Sequence, residues 1–256
     1  MKPLSALDAH AVDFILLDID DTLTTEGKLT AAAYAALERL RQAGKRVIPV
    51  TGRPAGWCDH IARMWPVDAV VGENGAFYFW FAAGKLGKRF IDDAPTRAER
   101  RARLQAIGER ILRDVPGAAI ASDQPYRETD LAIDFCEDVP PLPVAAVQRI
   151  VALMQESGLT AKVSSIHVNG WFGRYDKLAT TRLLFAERFG LALEGCNRRV
   201  VFVGDSPNDA PMFDFFDASV GVANVRRFAG LAPKFVTQAE AGAGFAELAQ
   251  HLLATA

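Results

Sequence analysis

The sequence predicts an α/β fold: a doubly wound parallel sheet of Rossmann-like winding, with an α+β segment inserted near its middle. Three observations predict it. Short uninterrupted apolar runs at residues 14–17, 47–50, 69–71 and 200–203 read as strands buried on both faces. Stretches with helical periodicity separate them, so strand and helix alternate as a doubly wound sheet requires. From about residue 84 to residue 169 that alternation lapses and the composition changes. Residues 1–83 and 170–256 are therefore expected to form one core domain, with 84–169 as an inserted α+β cap domain.

The chain has 256 residues, half of them apolar, enough for a large core or two domains. A formal net charge of −2 gives no reason to expect a nucleic-acid or anionic-membrane partner. Cys58, Cys136 and Cys196 form no close pair and no zinc spacing, which fits a reducing compartment. Residues 1–13 lack the basic segment and apolar core of a secretory signal, and no stretch has the length of a membrane span. A cytoplasmic protein is the expectation. Nothing in the sequence fixes its oligomeric state.

The first apolar run leads straight into Asp18, Asp20, Asp21 and Thr22. Asp18 then falls at the carboxyl end of a buried strand, where open α/β sheets place their ligands. Asp18 and Asp20 are two apart and can approach one site as the chain leaves the sheet. Carboxylates this crowded repel unless a proton or a cation intervenes. Hard oxygens around a small site favour magnesium. The plainer reading is a turn capped by Asp and Thr.

Thr30 is placed to cap a helix carrying Ala33, Leu37 and Leu40, and Gly44 stops it. The second strand, 47–50, ends in Thr51, Gly52, Arg53 and Pro54, a turn suited to an anion. Residues 55–65 read as a helix. The third strand, 69–71, ends in Gly72, Glu73, Asn74 and Gly75, and the aromatic run at 77–81 reads as a hairpin strand. Within the insert, an arginine-rich helix (97–113) is expected to show a solvated face. Residues 131–135 alternate like a strand with one wet face. A proline-rich loop, an amphipathic helix ending at Gly158 and a strand at 160–165 follow. The core pattern resumes with a helix opening at Asp176 and Lys177. The strand at 200–203 then runs into Gly204, Asp205, Ser206, Pro207, Asn208 and Asp209. Two short strands, 218–223 and 234–237, and a last helix over 244–253 complete the pattern. Three strand ends thus carry polar or acidic residues at one edge of one sheet.

With those residues in view, the chain resembles the haloacid dehalogenase-like superfamily of phosphohydrolases over nearly its whole length. The resemblance lies in Asp18-x-Asp20-x-Thr22, Thr51-Gly52-Arg53, Lys177, and Gly204-Asp205-x-x-Asn208-Asp209, in the family order. The insert and the stretch Glu73-Asn74-Gly75-Ala76 resemble subfamily IIB, the Cof-like group that includes sugar-phosphate phosphatases and the related phosphomannomutases. Asp21 stands where many members have glycine, and Leu178 where glycine often follows the lysine.

The resemblance implies a magnesium-dependent phosphatase acting on a small phosphorylated metabolite, a sugar phosphate by family habit, through an aspartyl-phosphate. It implies Asp18 as nucleophile and Asp20 as acid and then base. Magnesium would lie between the Asp18 carboxylate, the Asp20 main-chain carbonyl and Asp205, with Asn208 and Asp209 supporting that shell. Thr51 would bond a phosphoryl oxygen, and Lys177 would neutralise charge. Gly52, Arg53, Asn74, His167 and Asn169 are candidates to meet the substrate; Asn224 and Trp171 are weaker ones. Each has a plainer reading. Thr51 and Asp209 can be helix caps, Lys177 an exposed lysine, and the insert residues core or hinge. A sugar phosphomutase and an inactive sugar-phosphate-binding relative are the alternatives.

Overall fold

The structure, a computed structural model, describes residues 1–254. Its centre is a six-stranded, all-parallel sheet. The strand order is β1 (Lys2–Pro3), β13 (Phe235–Val236), β12 (Ala218–Gly221), β11 (Val200–Gly204), β2 (Phe14–Leu17) and β3 (Arg46–Pro49). Every residue of β2 and β11 is buried, as their unbroken apolar runs require.

Alternate residues serve opposite faces. Ile15 and Leu17 pack with Leu37, Leu40, Phe245 and Leu248, from α1 (Ala31–Gln42) and α7 (Ala241–Leu253). Phe14 and Leu16 pack with Leu184, Phe202, Met212 and Phe213, beneath α5 (Lys177–Leu184) and α6 (Ala210–Phe215). Each such side chain, fully buried, contributes about 1.5–3 kcal/mol. Thr30 caps α1 by accepting from Ala33 N at 3.3 Å.

The expected third strand behaves differently. Pro49 has no N–H to donate, and the β3 ladder stops there. Beyond it, β4 (Val70–Gly72) keeps one parallel bridge, Val50 to Val71. β4 then turns to an antiparallel sheet with the hairpin β5 (Phe77–Ala82) and β6 (Lys85–Phe90). Helix α2 (Ala55–Met64) lies between the two sheets' first strands in the chain and packs on β4 and β5.

The inserted region builds a four-stranded antiparallel sheet in the order β7 (Ala119–Ile120), β8 (Asp130–Asp134), β10 (His167–Trp171) and β9 (Thr160–Val163). Helices α3 (Ala94–Asp114) and α4 (Val144–Glu156) cover one face through Leu104, Ile111, Ile150 and Met154. The α3 arginines do form a wet face: Arg101 and Arg110 reach out to Glu128 and Glu156.

One expectation is corrected. The polar face of β8 is not wet, since Asp130 and Asp134 are each only 1% exposed. Buried charge needs partners, and both have them. Asp130 meets Arg127 at 3.0 Å. Asp134 accepts from the backbone N–H groups of Cys136, Glu137 and Asp138. No helix among the described residues is long and apolar enough to cross a membrane.

Candidate active site

Register brings the acidic strand ends together. In the β2–β11 pair Leu17 lies opposite Val203, and Asp18 N donates to Val203 O at 2.9 Å. Asp18 therefore leaves the sheet beside Gly204, and Asp205 follows on the neighbouring strand. Gly204 is fixed by space: a Cβ there would lie 2.4 Å from Asp209 Oδ2. The turn after β11 folds back so that Asp209 Oδ2 accepts from the N–H groups of Asp205 and Ser206, at 3.1 and 3.3 Å.

Carboxylate oxygens of Asp18, Asp205 and Asp209 all lie within 4.8 Å of one another, and all three residues are buried. Lys177, 3% exposed at the start of α5, places its Nζ 2.7 Å from both Asp18 Oδ1 and Asp209 Oδ1. Gly75 lets that helix come so close. Its φ of 108° suits glycine, and a Cβ there would meet Asp176 O at 2.1 Å.

Asp205 accepts from Thr22 Oγ1 at 3.2 Å and Asn224 Nδ2 at 3.3 Å. Burial pushes its carboxyl well above the usual range, and the charges of Asp18 and Asp209 push it further. The Asp18 carboxyl is raised to about 7 by burial and by Asp209 and Asp20, although Lys177 opposes the shift. Three carboxylates around one lysine leave the pocket short of positive charge. A hard divalent cation among these oxygens would supply it, so the donor set fits magnesium.

Asp20 turns elsewhere. Its Oδ1 accepts from Arg53 Nε and Nη2 at 2.9 and 2.8 Å, and its Oδ2 from Nε at 3.0 Å. Arg53, 4% exposed, also reaches Glu137 Oε1 at 3.0 Å and lies over the Trp57 ring at 4.4 Å from the ring centre. Thr51 is fully buried, and its hydroxyl accepts from Arg53 N at 3.1 Å. Asn208 donates to Asn74 at 3.5 Å, while the buried Asn74 Nδ2 has no hydrogen-bond partner among the described residues. Gly52 abuts that amide: a Cβ there would sit 3.2 Å from Asn74 Nδ2.

From the insert, His167 and Asn169 line the same small cavity as Asp18, Asp20, Gly52, Arg53, Ser206 and Asn208. That cavity is narrow, with room for about one water molecule. Asn169 donates to Asp130 Oδ2 at 3.1 Å. His167 Nε2 lies 2.8 Å from Glu137 Oε2, close enough for an ion pair but without hydrogen-bond alignment. The nearby imidazole, and then Arg53, hold the Glu137 carboxyl down near about 2. Trp171 lines a neighbouring cavity with Asn74, Lys177 and Asn208, stacked on Tyr175 with ring centres 5.9 Å apart. Asn224 donates to Asp21 O at 2.9 Å as well as to Asp205.

Four residues cross between core and insert, three of them without a place in the sequence reading. Arg127 donates to Gly52 O at 2.9 Å and to Asp123 and Asp130. Asp123 and Glu137 both meet Arg53. Glu73, wholly buried, accepts from Ala55 N, Glu128 N and both the N–H and hydroxyl of Thr129. Only Glu73 left a trace in the sequence, as the acidic residue of a strand-end turn. The other three sit in irregular stretches whose polarity reads as solvent.

Comparison with known proteins bears on this geometry. The haloacid dehalogenase-like hydrolase family matches residues 15–88, the stretch that supplies Asp18, Asp20, Thr51 and Arg53. Over that stretch the chain is similar to the haloacid dehalogenase-like hydrolases. Its fold, insert included, is shared with solved structures over nearly the whole chain. A phosphoglycolate phosphatase of Methanothrix thermoacetophila is 26% identical over 95% of this chain and 98% of its own length. One from Haloarcula marismortui is 28% identical over 91% and 94%. Among solved structures, a Thermoplasma acidophilum protein superposes with a TM-score of 0.72 at 17% identity, covering 95% of this chain and 99% of that one. The Synechocystis sucrose-phosphatase, solved with sucrose and phosphate, gives 0.63 at 17% identity over 93% and 97%.

Proposed function

We propose that this hydrolase is a phosphatase that uses a divalent cation, magnesium by preference, to hydrolyse a small phosphate monoester in two transfers at phosphorus. The observation that carries the reading is the buried trio Asp18, Asp205 and Asp209 with a single lysine between two of them. Asp18, Asp205 and the backbone at Asp20 would hold the cation, with Asp209 and Asn208 supporting it. When bound, it neutralises the carboxylates and the phosphate so that two anions can meet.

In the first transfer an Asp18 oxygen bonds to phosphorus and the ester P–O bond breaks. The leaving oxygen takes a proton from Asp20, whose Oδ2 makes the fewer contacts with Arg53. In the second, Asp20 removes a proton from water, the water oxygen bonds to phosphorus, and the Asp18–phosphorus bond breaks. Thr51 and the unpartnered Asn74 amide would donate to phosphoryl oxygens, and Lys177 would offset charge on Asp18 throughout. The α+β insert acts as a cap, residues 84–169, carrying His167 and Asn169 to the substrate. Because the cavity between Asp18 and His167 is too narrow for an ester, the cap would move away from the core to admit substrate there.

The names of the curated relatives make phosphoglycolate the first ester to test, ahead of the sugar phosphates that the subfamily suggests. The test is a panel of both classes, assayed for phosphate release with magnesium and with chelator, alongside Asp18→Asn. Metal-dependent release from an alkyl ester, abolished in D18N, is the expected result. Phosphoryl migration without free phosphate would identify a mutase instead. Binding without turnover of any ester would overturn the enzymatic reading.

A further inference from the structure

We infer that Glu137, on the cap, is a positioning residue that sets the general acid Asp20 through Arg53; the inference rests on the acid–base reading of Asp20 above. Three links carry it. Glu137 Oε1 accepts from Arg53 Nη2 at 3.0 Å, and the same nitrogen donates to Asp20 Oδ1 at 2.8 Å. One guanidinium nitrogen thus joins a cap carboxylate to the acid. Arg53 cannot drift within this arrangement, because Asp123 takes its Nη1 at 3.4 Å and the Trp57 ring covers its face. The bidentate fork fixes the Asp20 carboxylate, since a planar guanidinium holds both oxygens in one orientation. Asp20 Oδ1 takes two of the three contacts, which leaves Oδ2 as the atom at which a proton is held or moved.

Glu137 is itself held. It stands on the turn whose N–H groups point at the buried Asp134 carboxylate, beside His167. Asp20, Arg53 and the metal-site carboxylates belong to the core, whereas Asp123, Glu137 and His167 belong to the insert. The acid is therefore aligned only while the cap is closed. Acid catalysis is withheld from an open site where water could enter. A cap residue placed for substrate contact alone would have no reason to bond the arginine that grips the acid.

The experiment exploits the leaving group. Protonation matters greatly for an alkoxide and little for 4-nitrophenolate. kcat and KM are measured with magnesium for wild type, E137A, E137Q, D20N and the D20N/E137A double variant. The esters are 4-nitrophenyl phosphate and phosphoglycolate, or the fastest alkyl ester of the panel. A positioned general acid is worth about 10²–10⁴-fold, so losing its alignment in E137A should lower kcat on the alkyl ester about tenfold or more. Less than about threefold should be lost on the aryl ester, whose departure needs little acid. E137Q, whose amide oxygen can still accept from Nη2, should recover most of the alkyl-ester rate. The double variant should be no slower than D20N, because residues acting as one unit are not additive.

Equal losses on both esters in E137A, a raised KM with kcat unchanged, or additive losses in the double variant would each overturn the inference. If D20N itself showed no preference between the esters, the acid–base reading would fail first. If D20N discriminated and E137A did not, only the role of Glu137 would fall.

Discussion

Lys177→Met isolates the electrostatics of the acidic trio. The lysine is 3% exposed, and its Nζ is 2.7 Å from two carboxylates that are themselves buried. At an effective dielectric of about 20, each contact supplies roughly 6 kcal/mol of direct attraction, much of it cancelled by the water stripped from the charges. Removing one partner of a buried pair costs about 3–5 kcal/mol, and here one removal strands two carboxylates, so the upper end applies. The expected loss in chelator at about pH 8 is therefore about 5 kcal/mol, read as a lower urea midpoint by circular dichroism. At about pH 5.5 the loss should shrink, because an Asp18 carboxyl raised to about 7 can accept a proton instead of remaining an unpaired charge. Magnesium should restore part of the stability by binding only the folded form. A loss under about 1 kcal/mol at both pH values would refute the picture of one lysine holding apart a pair of buried anions.

Three further outcomes are expected. The folded Asp18 carboxyl titrates near about 7 against an ordinary 3.8, and Glu73 near about 7 against 4.5. Between those limits the folded form binds protons that the unfolded form has released. Stability of the metal-free protein should thus fall as pH rises from about 4 to 7, and a melting temperature that climbs across that window would contradict it. Glu73→Gln puts an NH₂ against donors that now meet a carboxylate. It should cost about 2–3 kcal/mol in denaturant titrations, and a neutral result would remove Glu73 from the core–insert junction. Gly75→Ala places a Cβ on Asp176 O at a positive φ. It should cost on the order of 3 kcal/mol and reduce turnover by displacing the start of α5; full activity in that variant would show that the helix start can yield.

Much of the core could be read directly. The strands ending at Asp18 and Asp205 are buried on both faces, so a continuous apolar run was signal enough, and the polar residues after each run marked the sheet's working edge. Asp209 was legible as part of that cluster. Its full place was not: a Ser206–Asp209 capping box is a local pattern, but the further reach to Asp205 N and Lys177 depends on a glycine at 204 and on a distant helix. The β4 strand deceived for a related reason. An apolar triplet looks the same whether it continues a parallel sheet or leaves it, and only Pro49 hinted at the break. Period-two alternation over 131–135 correctly implied two unlike faces, but sequence cannot tell water from a buried arginine as the partner of Asp130. Asp123, Arg127 and Glu137 escaped for that same reason. Their chemistry comes from meeting Arg53 and Gly52, which lie some seventy or more residues away in the chain.

The β2–β11 register has a temporal side. Thr22 and Asp205 are 183 residues apart along the chain, and Lys177 reaches back 159 residues to Asp18. A ribosome that has released the first strand must still synthesise the entire insert before the second acidic strand end exists. Contacts within the insert are local by comparison and can form early, while the long-range central pairing is intrinsically slow. Until then β2 has only β3 to pair with and its other edge is open, so protection from aggregation during synthesis falls to the nascent hairpin and helices around it. Chains stalled between those two points should be insoluble as well as inert.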